Sequence, residues 1–139
     1  MADVRRIVPA QYLGLATALA TLPDDAWERP SLCAGWRVRE VIAHLTMPAR
    51  YDEEAFAAEL RRRDFDFNRL SDEIAAGDGR LAPERLLADL RSEQLHRWAP
   101  FGGDYLKALN HVVIHGLDVT VPLGLERTAS DEALGLVLD

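Results

Sequence analysis

The 139-residue chain carries a formal charge of −7 and a pI near 5.0, an acidic balance that opposes binding to a phosphate backbone. Its length suits one domain, residues 1–139, with a single hydrophobic core. Cys33 is the sole cysteine and no segment is long and apolar enough for a bilayer, so the cytoplasm is the default compartment, and neither nucleic acid nor membrane is an expected partner.

Near the start, Arg5-Arg6 followed by Tyr-Leu-Gly-Leu-Ala-Thr-Ala-Leu-Ala has the outline of a secretory leader. Pro9 and Gln11 interrupt that stretch, however, while Val8, Tyr12, Leu15, Leu19 and Leu22 recur at the four-three spacing of a core-facing helix. The spacing predicts a first helix from about Pro9 to Leu22, ended by Pro23-Asp24-Asp25, and then a turn-rich loop from Trp27 to Trp36. A second helix starts at about Val38 with the inward stripe Val38, Val41, Ile42 and Leu45, and Pro48 marks its end or a kink. Phe56, Leu60, Phe67, Leu70 and Ile74 keep the rhythm through one long third helix that stops at Gly77-Asp78-Gly79; the basic run Arg61-Arg62-Arg63 is its solvated face.

Pro83 opens a fourth helix carrying Leu86, Leu87, Leu90, Leu95 and Trp98, followed by a tight connection at Phe101-Gly102-Gly103. Asp104 caps the next helix, about Tyr105 to Val121, which is the most apolar of all: Leu106, Leu109, Val113 and Leu117 line one side, with Val112 and Ile114 flanking. It is expected to be central, and its apolarity leaves room for a homodimer. Ser130 caps the beginning of a last helix whose apolar pattern is unfinished at Asp139, so the natural protein is expected to continue. Without strand-like alternation or an internal repeat, the simplest architecture is an all-α bundle.

Three of the four histidines form a candidate metal site. His111 and His115 are four residues apart, so in a helix both imidazoles project from one face; His44 lies at the edge of the second helix's apolar stripe. The same residues admit a plainer account. Asp104, Lys107, Asn110, His111 and Asp118 would share a solvated face, and His44 would be a hydrogen-bonded boundary residue. Asp118, three residues after His115, suits the role of acceptor for that imidazole's free ring proton as well as it suits a surface position. Cys33 reads as a small buried residue before the Gly35 turn and His96 has no catalytic role; Trp27 and Trp98 are core candidates and Trp36 a staple at the entrance to the second helix.

The stretch Trp27 to Leu45, Trp-Glu-Arg-Pro-Ser-Leu-Cys-Ala-Gly-Trp-Arg-Val-Arg-Glu-Val-Ile-Ala-His-Leu, resembles the signature of the mycothiol-dependent maleylpyruvate isomerase N-terminal domain. His111 to Gly124 is similar to the same family's late helix, which belongs with the wider DinB-like metal-binding four-helix bundles. The resemblance implies a DinB-like four-helix bundle with an extra short helix and a C-terminal helix start, and a divalent metal held by His44, His111 and His115. Two departures stand out. The maleylpyruvate isomerase branch usually has a carboxylate where this chain has His111, and Arg37 replaces a capping Ser or Thr, at a cost of about 1 kcal/mol unless Glu40 or the loop compensates.

Three neutral imidazoles leave a cation its full charge and an open coordination position, as in catalytic sites. Zinc is the first expectation and nickel the second. The resemblance supplies mycothiol or a similar thiol as cosubstrate, so the expected activity is activation of a low-molecular-weight thiol for transfer to, or isomerisation of, an electrophilic small molecule. The alternative is a non-catalytic metal-binding bundle that binds a small molecule or is stabilised by the ion. Neither spacing nor resemblance singles out a catalytic or thiol-binding residue.

Overall fold

The computed structural model describes residues 3–138, whose regular secondary structure is all helical, with no strand beyond one isolated bridge between Pro30 and Arg37. Helix α1 (Val4–Ala20) begins earlier than Pro9. Asp3 caps it by accepting from the backbone N–H of Arg5, so Pro9 falls inside the helix and removes one backbone bond without ending it. Of the expected stripe, Val8, Tyr12, Leu15 and Leu19 are buried, while the helix stops at Ala20 and leaves Leu22 beyond its end and half-buried. A short 3-10 turn, Asp24–Glu28, then inserts Trp27 into the core, as its composition suggested.

Helix α2 (Val38–Leu45) is the most enclosed element, and every one of its residues except Arg39 is buried. Arg37 has no acceptor with which to cap it, but Glu40 compensates: its Oε1 accepts from the backbone N–H of Arg37 at 3.4 Å and from that residue's Nε at 2.8 Å. Pro48 sits in the first turn of α3 (Met47–Arg50), where its missing N–H costs nothing, so α2 stops at Leu45.

The single long third helix is corrected to two, α4 (Glu53–Arg62) and α5 (Phe67–Asp78). Asp64 and Phe65 take positive φ values of 54° and 60°, and Asp66 starts a new helix by accepting from the N–H of Arg69. Leu60 and Phe67 are two helical turns apart in sequence, so the apolar rhythm runs across the break unchanged. The fourth helix is also two pieces, α6 (Pro83–Leu90) and α7 (Glu93–His96), parted at Arg91-Ser92. Residues Pro100–Gly103 form a short helix, α8, before α9 (Tyr105–Thr120), which Asp104 caps at Lys107. In α10 (Asp131–Leu138) the Ser130 hydroxyl accepts from Ala133, as expected of its cap.

Helix α9 packs on both α1 and α2, α5 covers another side of α2, and α6 closes against α1. The face that α9 buries is Ala108, Leu109, Val112, Val113, Gly116, Val119 and Thr120. Leu106 and Ile114, expected along or beside its inward stripe, are instead 44% and 50% exposed. The buried face is rotated towards Ala108 and Gly116. A smaller cluster of Met47, Leu70 and Ile74, edged by Tyr51, Phe56 and Leu60, lies on the far side of α2 and α3. Arg50 ties these parts together, its Nη1 donating to Asp89 and to the Thr46 hydroxyl at 2.8 Å each and its Nε to Asp78 at 3.0 Å.

Candidate metal centre

Helix α2 delivers His44 and helix α9 delivers His111 and His115 to one point. The Nε2 atoms of His44 and His111 are 3.1 Å apart, and the three ring centroids are separated by 4.6 to 5.0 Å. One ligand atom from each residue falls within 4.8 Å of the others. Two nitrogens on a tetrahedral ion with bonds of 2.0–2.1 Å would lie about 3.3 Å apart, so the spacing of His44 and His111 already suits a shared cation. His111 and His115 are part-buried, which excludes the fully solvated face that their helix position also allowed.

Electrostatics prepare the same result. Burial, reinforced by His115 alongside, pushes the His44 imidazole down to about 4. His111 is held well below the usual histidine range by burial and by its two histidine neighbours, and His115 is lowered by burial against the opposing pull of Asp118. All three rings are therefore neutral at pH 7, with no acid proton to expel before a lone pair can reach a cation.

Asp118, placed one turn after His115 on α9, has its Oδ2 3.1 Å from the Nδ1 of His115. With Nδ1 carrying the proton, the carboxylate accepts it and leaves the Nε2 lone pair free, a contact that fits the first of the two positions the spacing allowed. The Nδ1 atoms of His44 and His111 are buried without a protein partner, so His115 is the ligand candidate that the chain itself orients.

Cys33 is only part-buried, which corrects the expectation of an enclosed residue, and its Sγ donates to the same Asp118 oxygen at 3.1 Å. The loop is held for this contact by Ser31, whose hydroxyl accepts from the Cys33 N–H, and by the Leu32 N–H, which donates to the Asp118 carbonyl. Burial and the adjoining carboxylate push the thiol up to about 11, so it is protonated and a poor nucleophile as it stands. Cys33, His115 and Asp118 also lie close enough together to hold an ion. Each already has a hydrogen-bond partner within the trio, whereas two of the three histidines lack one on their outer nitrogens.

A cleft of about 840 Å³ opens on the imidazoles. Trp98, expected in the core, lines it with its ring 5.7 Å from that of His111, while Trp36 rests 5.1 Å from His44 rather than serving only as a staple. His96 keeps apart, its Nε2 2.7 Å from the Leu90 carbonyl and its ring stacked on Tyr12. Sequence spacing had no means of finding the cleft or the contact between Cys33 and Asp118, which join residues 85 apart.

Among known families, the one described as mycothiol maleylpyruvate isomerase N-terminal domain matches residues 10–101. No curated protein and no solved structure matches. The matched span includes His44, Cys33 and both tryptophans of the site but ends before α9, so the convergence of His111 and His115 on His44 is a finding of the geometry. No helix among the described residues is long and apolar enough to cross a membrane.

Proposed function

The chain belongs to the mycothiol maleylpyruvate isomerase N-terminal domain family, and on that premise we propose that it is a metal-dependent enzyme acting on a low-molecular-weight thiol of the mycothiol kind. The observation that carries the proposal is the meeting of three neutral imidazoles, His44, His111 and His115, at the floor of a cleft. Zinc is the first choice of ion and nickel the second, because an all-imidazole set suits both. A bound divalent ion would supply charge that lowers the pKa of a thiol and a coordination position open to it.

The chain's own residues supply the rest. Asp118 would hold His115 in one tautomer, and Trp36 and Trp98 lie beside the rings of His44 and His111. Reaction consists of loss of the thiol proton to solvent and formation of a bond from sulfur to an electrophilic carbon. In a transfer the carbon gives up its leaving group. In an isomerisation the thiolate adds to one carbon of an alkene conjugated with a carbonyl, the electron pair moves to that carbonyl oxygen, the resulting single bond rotates, and return of the pair expels the thiolate, which regains its proton from solvent. Cys33 takes no part as nucleophile, given its protonated thiol and its contact with Asp118.

Elemental analysis of the purified protein, alongside consumption of mycothiol with an electrophile, tests the reading. About one zinc or nickel per chain is expected, with both metal and turnover lost in His44→Ala and His115→Ala. Metal-dependent melting without turnover would reduce the protein to a binding module. Unchanged metal content in both variants would remove the proposal altogether.

A further inference from the structure

Helix α4 has no buried residue, yet Phe56 and Leu60 set two large apolar groups on one of its faces, four residues apart. They edge the Met47, Leu70, Ile74 cluster and line the cleft. Phe67, at the start of α5, is 53% exposed and its ring lies 6.3 Å from that of Phe56; Trp98 also lines the same space. Folding therefore leaves an apolar wall in contact with water, which a ligand of matching character would cover favourably. The cleft's volume of about 840 Å³ falls within the range of small-molecule sites, and its concave form with three imidazoles in its lining favours such a ligand over a protein partner.

The charges of the lining point the same way. Among the described residues that line the cleft, Lys107 is the only lysine or arginine, whereas Asp52 and Glu53 contribute two carboxylates. Arg50, next to Tyr51 of the lining, is committed to Asp78 and Asp89. Among the described residues no guanidinium fork lines the space, so a dianion would meet one ammonium group against two like charges and no bidentate partner.

We propose that the electrophilic cosubstrate is an uncharged molecule bearing an aryl or extended alkyl group, seated on Phe56, Leu60, Phe67 and Trp98, and not a small dicarboxylate such as the maleylpyruvate of the family description. The proposal rests on the reading of this site as an enzyme's, but recognition by the apolar wall needs no ion and is measurable without turnover.

The test is calorimetry and tryptophan fluorescence on the full chain, metal-loaded and chelator-treated, with 2-naphthol as the apolar probe and succinate as the dicarboxylate. One 2-naphthol per chain is expected in both forms, weakened about tenfold or more by Phe67→Glu and by Phe56→Ala with Leu60→Ala, and not displaced by succinate. Phe67→Glu alters an exposed position and so carries the test if the double variant does not fold. With mycothiol present, an aryl enone is expected to show a lower KM than maleylpyruvate. Tighter binding of succinate, or 2-naphthol binding indifferent to both variants, would overturn the proposal. So would a dimer in sedimentation that Phe67→Glu dissociates, because a second copy would then be what covers the wall. Absence of metal or turnover with 2-naphthol binding intact would instead count against the enzyme reading alone.

Discussion

Replacing Asp118 separates the role of one carboxylate from the histidines it supports. Its Oδ2 is shared between the Nδ1 of His115 and the Sγ of Cys33, each at 3.1 Å, and the side chain is mostly shielded from water. Outer partners of this kind are worth 10- to 100-fold in metal affinity, or about 1.4–2.8 kcal/mol. Asp118→Asn retains an oxygen acceptor for His115 and loses only the charge, so a loss near tenfold is expected. Asp118→Ala also removes the acceptor and frees the ring to turn, so its loss should approach 100-fold. Competition for zinc against a chromophoric chelator at pH 7 measures both, with circular dichroism to confirm folding. Cys33→Ala serves as the control, because removing the competing donor should leave affinity unchanged or slightly higher. Affinities of both Asp118 variants within about twofold of the parent chain would refute the reasoning.

The pH dependence of the chelator-treated protein follows from His44, whose imidazole is lowered from 6.5 to about 4. The unfolded chain takes up this proton near pH 6.5 and the folded chain only near 4, so the stability is present above 6.5 and is lost as pH falls towards 4. Urea denaturation at pH 8 and pH 5 should differ by about 2 kcal/mol from His44 alone, with His111 adding in the same direction, and His44→Gln should reduce the difference. Arg50→Met should cost about 3–5 kcal/mol in the same assay, because Asp89 is buried and retains only Arg85 as a partner. Gly79→Ala should destabilise by about 1–3 kcal/mol, since an added Cβ would stand 2.7 Å from the Ala75 carbonyl and 3.1 Å from Glu40. Cys33, its thiol raised to about 11, should alkylate slowly at pH 7.5 and faster in Asp118→Asn, as followed by mass spectrometry.

The helical class, the stripes of α1 and α2 and the caps at Asp104 and Ser130 were legible because each depends on residues within a turn or two of one another. The pairing of His111 with His115 was legible for the same reason, whereas their meeting with His44 spans 67 residues, so spacing could offer it only as one of two readings, to which the family resemblance added weight. Spacing misled in two places. The seven-residue step from Leu60 to Phe67 preserves helical phase across a break that is marked only by Asp64, Phe65 and Asp66. In α9, Leu106 is exposed while Ala108 and Gly116 are buried, so the inward face includes small residues that a hydrophobicity count overlooks. The cleft had no local signal at all, because its walls come from α3, α4, α5, α9 and the segment around Trp98.

Metal content of the purified chain is the most direct measure of the central claim. The account predicts about one divalent ion per chain, bound with micromolar or tighter affinity at pH 7 and lost when His44, His111 or His115 is changed to alanine with the helical signal retained. A chain that binds no zinc or nickel, or binds it equally well after all three substitutions, would contradict it.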